Sequence, residues 1–239
     1  LDTVTALREF LSDLGECDGQ PPRMYVDLEG NNLSRNGTLS LVTILLVPEK
    51  EVYLVDVTTL EHDAFTTAGT NGRTLKSVLE STNIVKVFFD IRNDSDALFG
   101  LYGIRVAGIE DLQLMELASR SFSKRNVNGL ARCIERDGSI ELSKRNEWQI
   151  IKDQGKRLFD PDRGGSYAVF DQRPLSKEIL QYCTQDVKFM PHLREVYRRR
   201  LCDAWWRKIE EETNARIQLS QSPSFRGKGQ HMARGPPTW

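Results

Sequence analysis

Three apolar runs lie one after another between Arg23 and Val57, and they restrict the fold more than any other part of this chain. Arg23 to Leu28 reads as a first strand, Asn31 to Gly37 as a polar turn segment, and Thr38 to Val47 (TLSLVTILLV) as a long β-rich run. Pro48-Glu49-Lys50 then turns tightly into Glu51 to Val57 (EVYLVDV). Short runs joined by short connections pair as three consecutive antiparallel strands.

Beyond Val57 the pattern is mostly helical. Periodic apolar positions predict helices over Thr59 to Phe65 and Arg73 to Glu80, then a short buried strand at Ile84 to Phe89. A helix to about Tyr102 comes next, a fifth strand at Ile104 to Ala107, and helices at Glu110 to Ser119, Asn128 to Arg136 and Lys144 to Leu158. Ahead of the strands, Val4, Leu7, Leu11 and Leu14 form a helical stripe within Thr3 to Leu14, and Gly19 to Pro22 breaks the chain. Phe159 to Arg173 is the one long irregular stretch, expected as a mobile loop near the site. Ser176 suits the N-cap of a last helix reaching roughly Glu211, with a kink or break at Pro191. At 239 residues the chain suits one domain. The expected organisation is an N-terminal helix (1–20), an α/β domain (21–212) with a mixed sheet of about five strands flanked by helices, and a basic, flexible tail (213–239).

Candidate chemistry lies in three distant segments. Asp27 and Glu29 close the first apolar run (MYVDLEG), and strand alternation turns both to one side. Asp94 (RNDSDALF) falls in the first turn of a helix just beyond a strand. Tyr182 and Asp186 (YCTQDV) stand four apart in a helical pattern, one above the other. Each alone has an ordinary explanation: a solvated strand end, a carboxylate stabilising a helix N-terminus, a tyrosine packed beside an exposed acid. Together they supply four carboxylates and a phenol, the donor set of a two-metal phosphodiester hydrolase. Asp90 and Asp96 remain alternatives to Asp94.

Other chemistries lack material. The four cysteines stand far apart with no Cys-x-x-Cys pair, which reads as free thiols in a reducing compartment and excludes a zinc cluster. None of the three histidines lies near a nucleophile motif. No apolar run approaches a membrane span and no signal peptide opens the chain, so an intracellular location, nucleus or cytoplasm, is expected. The chain starts at Leu1, which leaves upstream residues unknown. A net charge of −1 does not by itself point to nucleic acid. Charge is uneven, however: Thr213 to Trp239 holds Arg216, Arg226, Lys228 and Arg234 and no acid, and Lys188, Arg194, Arg198, Arg199, Arg200, Arg207 and Lys208 make the preceding helix basic. Trp148, Trp205 and Trp206 are read as packing residues first and base-stacking residues second.

The strings YVDLEGNNLSRNGTLSL, KVFFDIRNDSDALFGLYGI and LQYCTQDVKFMPHL resemble the three motifs of the DEDDy 3'-5' exonucleases, the ribonuclease D-like branch of the DnaQ-like superfamily. The resemblance runs in order from about Arg23 to Arg200 and is nearest to the eukaryotic Egalitarian-type exonuclease-domain subgroup, with a resemblance also to a fungal exonuclease acting on small RNA in silencing. It implies a ribonuclease H-like (DnaQ-like) fold, and two divalent cations, Mg²⁺ or Mn²⁺, held by Asp27, Glu29, Asp94 and Asp186. Asp27 would bridge the two ions, Asp94 would hold the second partly through water, and Tyr182 would orient the attacking water. Phe89 stands where many relatives have His and Thr43 where Gln is common; neither is a ligand in the family.

The leading expectation is therefore a metal-dependent exonuclease that releases nucleoside 5'-monophosphates from a single-stranded 3' end, RNA before DNA. The alternative is an exonuclease-like RNA-binding or adaptor module of weak or lost activity. A third is an interaction domain whose acidic pocket holds a structural metal. The tail could engage a protein partner.

Overall fold

The computed structural model describes residues 1–14, 24–138 and 141–239. The expected break at Gly19 to Pro22, together with Cys17 and Arg23, lies outside them. Five strands form one sheet: β1 (Met24–Glu29), β2 (Leu41–Leu46), β3 (Glu51–Asp56), β4 (Lys86–Phe88) and β5 (Ile109–Asp111). Their order is β3-β2-β1-β4-β5, with β1–β2 and β2–β3 antiparallel, and β4 parallel to β1 and β5 to β4. The three apolar runs thus make the expected antiparallel meander, and the later strands join its inner edge in parallel.

Helices cover both faces. On one side, α1 (Val4–Asp13) is capped by Thr3 and followed in the chain by the short α2 (Val57–Leu60) and α3 (Asp63–Thr66), then α4 (Leu75–Glu80) and α5 (Arg92–Tyr102). Leu7, Phe10 and Leu11 of α1, Val78 of α4 and Leu98 of α5 bury against Met24, Val26 and Leu28 of β1. On the other side lie α6 (Leu112–Ser119), α7 (Leu130–Asp137), α8 (Leu142–Phe159), α9 (Lys177–Lys188) and α10 (Met190–Arg198). Tyr25 packs there with Met115, Trp148, Val187 and Tyr197. Alternation along β1 therefore divides the two cores residue by residue. Among the described residues no helix is long and apolar enough to cross a membrane.

The fifth strand lies further along than Ile104 to Ala107. Ile104 and Val106 do bury in the core, but the backbone of this segment serves the helix ends: Ile104 N–H donates to Leu98 O at 3.1 Å behind the left-handed Gly103, and Ala107 N–H to Leu79 O at 3.1 Å. Gly108, at φ +62°, turns the chain into β5. Glu110 consequently belongs to the strand, and Asp111 caps α6 by accepting from Gln113 and Leu114 N–H.

The last expected helix is three helices. Pro191 marks the first break, between α9 and α10. A second break after Arg198, which no Gly or Pro signals, redirects the chain so that α11 (Asp203–Gln221) packs on α5 while α10 packs on α6. Residues 161–170, in the stretch expected to be irregular, contain two 3₁₀ turns, Pro161–Arg163 and Tyr167–Phe170.

The boundary expected at 212 also moves. Residues 213–221 are the last turns of α11, and Arg216 is buried, its Nη1 donating to Asp111 at 2.7 Å and to Gln113 Oε1 at 3.1 Å. The residues beyond are tied down, with Val127 N–H donating to Ala233 O at 3.0 Å and Gly235 N–H to Arg125 O at 2.8 Å. A basic composition reads as a solvated tail until one of its cations is claimed by a buried carboxylate. Breaking such a pair leaves a charge uncompensated, at a cost of about 3 kcal/mol or more. Arg216→Met, and truncation after Glu212, should each lower the midpoint of thermal unfolding by roughly 6–12 °C, measured by circular dichroism; an unchanged midpoint would contradict the buried-pair account.

Candidate active site

β1 carries the first two carboxylates. Asp27 lies opposite Thr43 and Glu29 opposite Leu41, on the face that Tyr25 buries into the second core. The strand stops at Gly30, where a Cβ would stand 2.1 Å from Thr38 O, so only glycine admits this close return of the chain. Asn31 N–H then donates to Thr38 Oγ1 at 2.9 Å.

α9 brings the second pair. Ser176 Oγ accepts from Ile179 N–H at 3.2 Å and starts the helix, which packs against β1 and β2. Tyr182 and Asp186 sit one turn apart, both buried. One carboxylate oxygen each of Asp27, Glu29 and Asp186 lies within 4.8 Å of the others. Three carboxylate oxygens this close are a donor set for a hard divalent cation. Thr43 Oγ1, across the ladder from Asp27, is buried and has no hydrogen-bond partner among the described residues.

Asp94 sits apart from that trio, buried in the first turn of α5, but it couples electrostatically to Asp27. Its two neighbours are engaged elsewhere. Asp90, held at φ +64°, accepts from Arg92 Nε and Nη2 at 2.6 Å each. Asp96 accepts from Arg35 N at 2.9 Å and Arg35 Nε at 2.5 Å. Among the described residues Asp94 alone of the three has no basic side chain paired with it.

A wall from α8 completes the site. Lys152, buried, donates through Nζ to Asp186 Oδ1 and lies 3.8 Å from the Tyr182 ring centroid. Three residues on, Gly155 presses against Tyr182, where a Cβ would come within 2.4 Å of the ring. Phe159 meets Tyr182 edge-on, with centroids 4.8 Å apart, and stacks on Tyr167. Sequence reading missed Lys152. The available signal was Gly155, a glycine deep in a helix where it costs about 1 kcal/mol against alanine and so marks a close approach.

The electrostatics arise from burial and crowding. Asp27 is pushed up to about 8, by burial first and then by Asp186, against the pull of Lys152. Glu29 and Asp94 are both driven well above the usual carboxylate range, by burial and then by Asp27. Burial and the nearby acids likewise raise the Tyr182 phenol, which keeps its proton at neutral pH. The tryptophans are packing residues: Trp148 is in the second core, and Trp205 packs edge-on to Trp239 at 5.2 Å.

A family model described as 3'-5' exonuclease matches residues 1–201. The chain is 20% identical over 209 residues to the piRNA biogenesis protein EXD1 of Bombyx mori, covering 86% of this chain and 58% of that protein. It is 30% identical over 124 residues to a 3'-5' exonuclease of Arabidopsis thaliana, covering 52% of this chain and 36% of that one. It therefore spans well under two thirds of either relative. Among solved structures, Trypanosoma brucei RNase D complexed with RNA U12 superposes with a TM-score of 0.73 at 22% identity, covering all of this chain and 76% of that one. Escherichia coli RNase D gives 0.58 at 16% identity, covering 92% and 48%. These likenesses establish the fold, a ribonuclease H-like mixed sheet with flanking helices.

Because burial and Asp186 push Asp27 up to about 8 in the folded chain, from an ordinary value of 3.8, the folded chain holds a proton that the unfolded chain releases between those values. Stability of the cation-free protein should therefore fall as pH rises from 4 to 8. Asp27→Asn should flatten the slope and melt several degrees above the parent at pH 8 in EDTA. Scanning calorimetry in EDTA across that range checks this, and a parent whose midpoint rises with pH would contradict it.

Proposed function

This chain belongs to the 3'-5' exonuclease family, and we propose that its acidic face hydrolyses phosphodiester bonds one at a time from the 3' end of a nucleic acid, RNA before DNA, releasing nucleoside 5'-monophosphates. The observation that carries the reading is the convergence of Asp27, Glu29 and Asp186 within 4.8 Å, from a strand that ends at Glu29 and a helix that begins at Lys177. Support for RNA comes from relatives: one is an RNase D crystallised with RNA U12, and another is named for piRNA biogenesis.

Divalent cations, Mg²⁺ or Mn²⁺, would be held by Asp27, Glu29 and Asp186, with Asp94, which feels the charge of Asp27, contributing to a second, and would supply Lewis-acid stabilisation of the phosphoryl oxygens. The chain's own groups do the rest. Tyr182, protonated and fixed between Gly155, Phe159 and Lys152, positions the attacking water through its phenol, which fits the tyrosine (DEDDy) branch. Lys152 balances the acids before cations arrive, since its ammonium lies where a cation is wanted. Asp90 and Asp96, tied to arginines, hold the first turns of α5 so that Asp94 faces inward.

One observation favours a second reading. With Lys152 already paired to Asp186, a domain that binds RNA without cleaving it would keep the same pocket closed to metal.

Incubation with 3'-labelled and 5'-labelled single strands separates the two. Stepwise shortening from the 3' end in Mn²⁺ or Mg²⁺, abolished by EDTA, is expected; a mobility shift without shortening would favour the adaptor. Asp27→Asn should lose roughly a thousandfold or more, whereas Tyr182→Phe should fall about a hundredfold and stay measurable. Lys152→Met removes the competing cation, so half-maximal activity should need on the order of fivefold less Mn²⁺.

A further inference from the structure

The family match ends at Leu201, and the chain continues through α11 to a basic C-terminal segment. From Thr213 to Trp239 it carries four basic residues and no acid. Arg216 is claimed by Asp111, but Arg226 and Lys228 are exposed and have no carboxylate partner among the described residues.

The segment that carries them is an arch fixed at both ends. At the near end, Arg35 Nη2 donates to Ser220 O at 2.5 Å and Ser220 Oγ to Ser95 Oγ at 2.9 Å. At the far end, Arg92 Nη2 donates to Met232 O at 2.8 Å, next to the Ala233 bond with Val127. Between them the arch crosses the start of α5. Gly227 lies so close to Asn93 that a Cβ would stand 2.3 Å from its Oδ1, Lys228 Nζ donates to Asn32 Oδ1, and a His231 ring nitrogen lies 2.8 Å from Arg226 O.

Under the arch is a cleft of about 380 Å³, in the size range of ligand sites. Asn32 and Arg35 line it from the loop after Glu29, Asn93 from the residue before Asp94, and Phe225, Arg226 and Lys228 from the arch. The cleft therefore borders two of the three segments that supply the carboxylates. Asp96 neutralises Arg35, which leaves a surplus of two cations beside a half-buried aromatic ring. Cations spaced along a groove with an aromatic platform suit a single-stranded polyanion.

We propose that this cleft is a track for the backbone of the single strand upstream of its 3' end, with Arg226 and Lys228 each meeting a phosphate and Phe225 offering a face to a base. The direction of the strand rests on the exonuclease reading; the binding does not. An acidic site repels the polyanion it must cut, and two cations beside it offset that repulsion.

Binding of a fluorescent single-stranded RNA 12-mer, measured by anisotropy in EDTA at several salt concentrations, tests the track separately from cleavage. Arg226→Glu/Lys228→Glu should weaken binding at least fivefold near 0.1 M salt and reduce the slope of log Kd against log salt by about 1.4, two phosphates at ~0.7 each. Arg226→Lys/Lys228→Arg should keep the parent slope. A control with the same charge change elsewhere, Arg8→Glu/Lys76→Glu, should leave the slope near that of the parent. Equal slopes for parent and Arg226→Glu/Lys228→Glu, or equal losses in that variant and the control, would overturn the proposal. Failure to shorten RNA in Mn²⁺ would overturn the exonuclease reading and leave this measurement intact.

Discussion

Carboxylates that converge in a half-buried space repel one another and lose water at the same time, and that unfavourable interaction organises the molecule. Three oxygens from Asp27, Glu29 and Asp186 lie within 4.8 Å, and Asp94 adds a fourth buried acid that feels Asp27. Desolvation and like charge both favour protonation, which is why Asp27 is pushed up to about 8. Such an arrangement persists only where the fold over-determines it. Lys152 supplies partial relief within the folded chain, and it does so against the acid on α9, Asp186.

The scaffold holds the acids in place through charges that lie outside the site. Arg216 joins α11 to Asp111, whose carboxylate also accepts from the N–H groups of Asp90 and Ile91 and so fixes the bend between β4 and α5. Arg92 and Arg35 occupy Asp90 and Asp96 on either side of Asp94. Each clamp removes a rival carboxylate from competition and stiffens the turn that aims the remaining one. Opposite, the Arg173 guanidinium grips Asp56 through Nε and Nη2 at 2.5 Å each, holding the segment ahead of α9 to the end of β3. Burial of these pairs makes them geometric constraints more than sources of stability.

Much of this was legible in the sequence because it is local. The meander, the shared face of Asp27 and Glu29, the stacking of Tyr182 on Asp186 and the break at Pro191 all derive from periods of two and 3.6 or from missing N–H groups. The features that were not legible depend on partners distant in the chain. Ile104 to Ala107 looks like a strand because it is apolar, but the helix ends take the backbone bonds of Ile104 and Ala107. Lys152 looks like one more cation on a polar helix until Gly155 lets α8 close on Tyr182. Arg216 looks like tail until it meets Asp111, 105 residues away. In the Asp90, Asp94, Asp96 series, spacing offered three candidates, and pairing with Arg92 and Arg35 distinguishes two of them.

Crowded, partly protonated acids kept ready for a divalent cation are the core of this account of the site. Calorimetric titration with Mn²⁺ in two buffers of different ionisation enthalpy, at pH 6.5 and 9, tests it most directly. Binding should release protons at pH 6.5 and far fewer at pH 9, and Asp27→Asn should abolish both the binding and the release. Mn²⁺ that failed to bind the parent protein, or that bound with no proton release at either pH, would contradict the account.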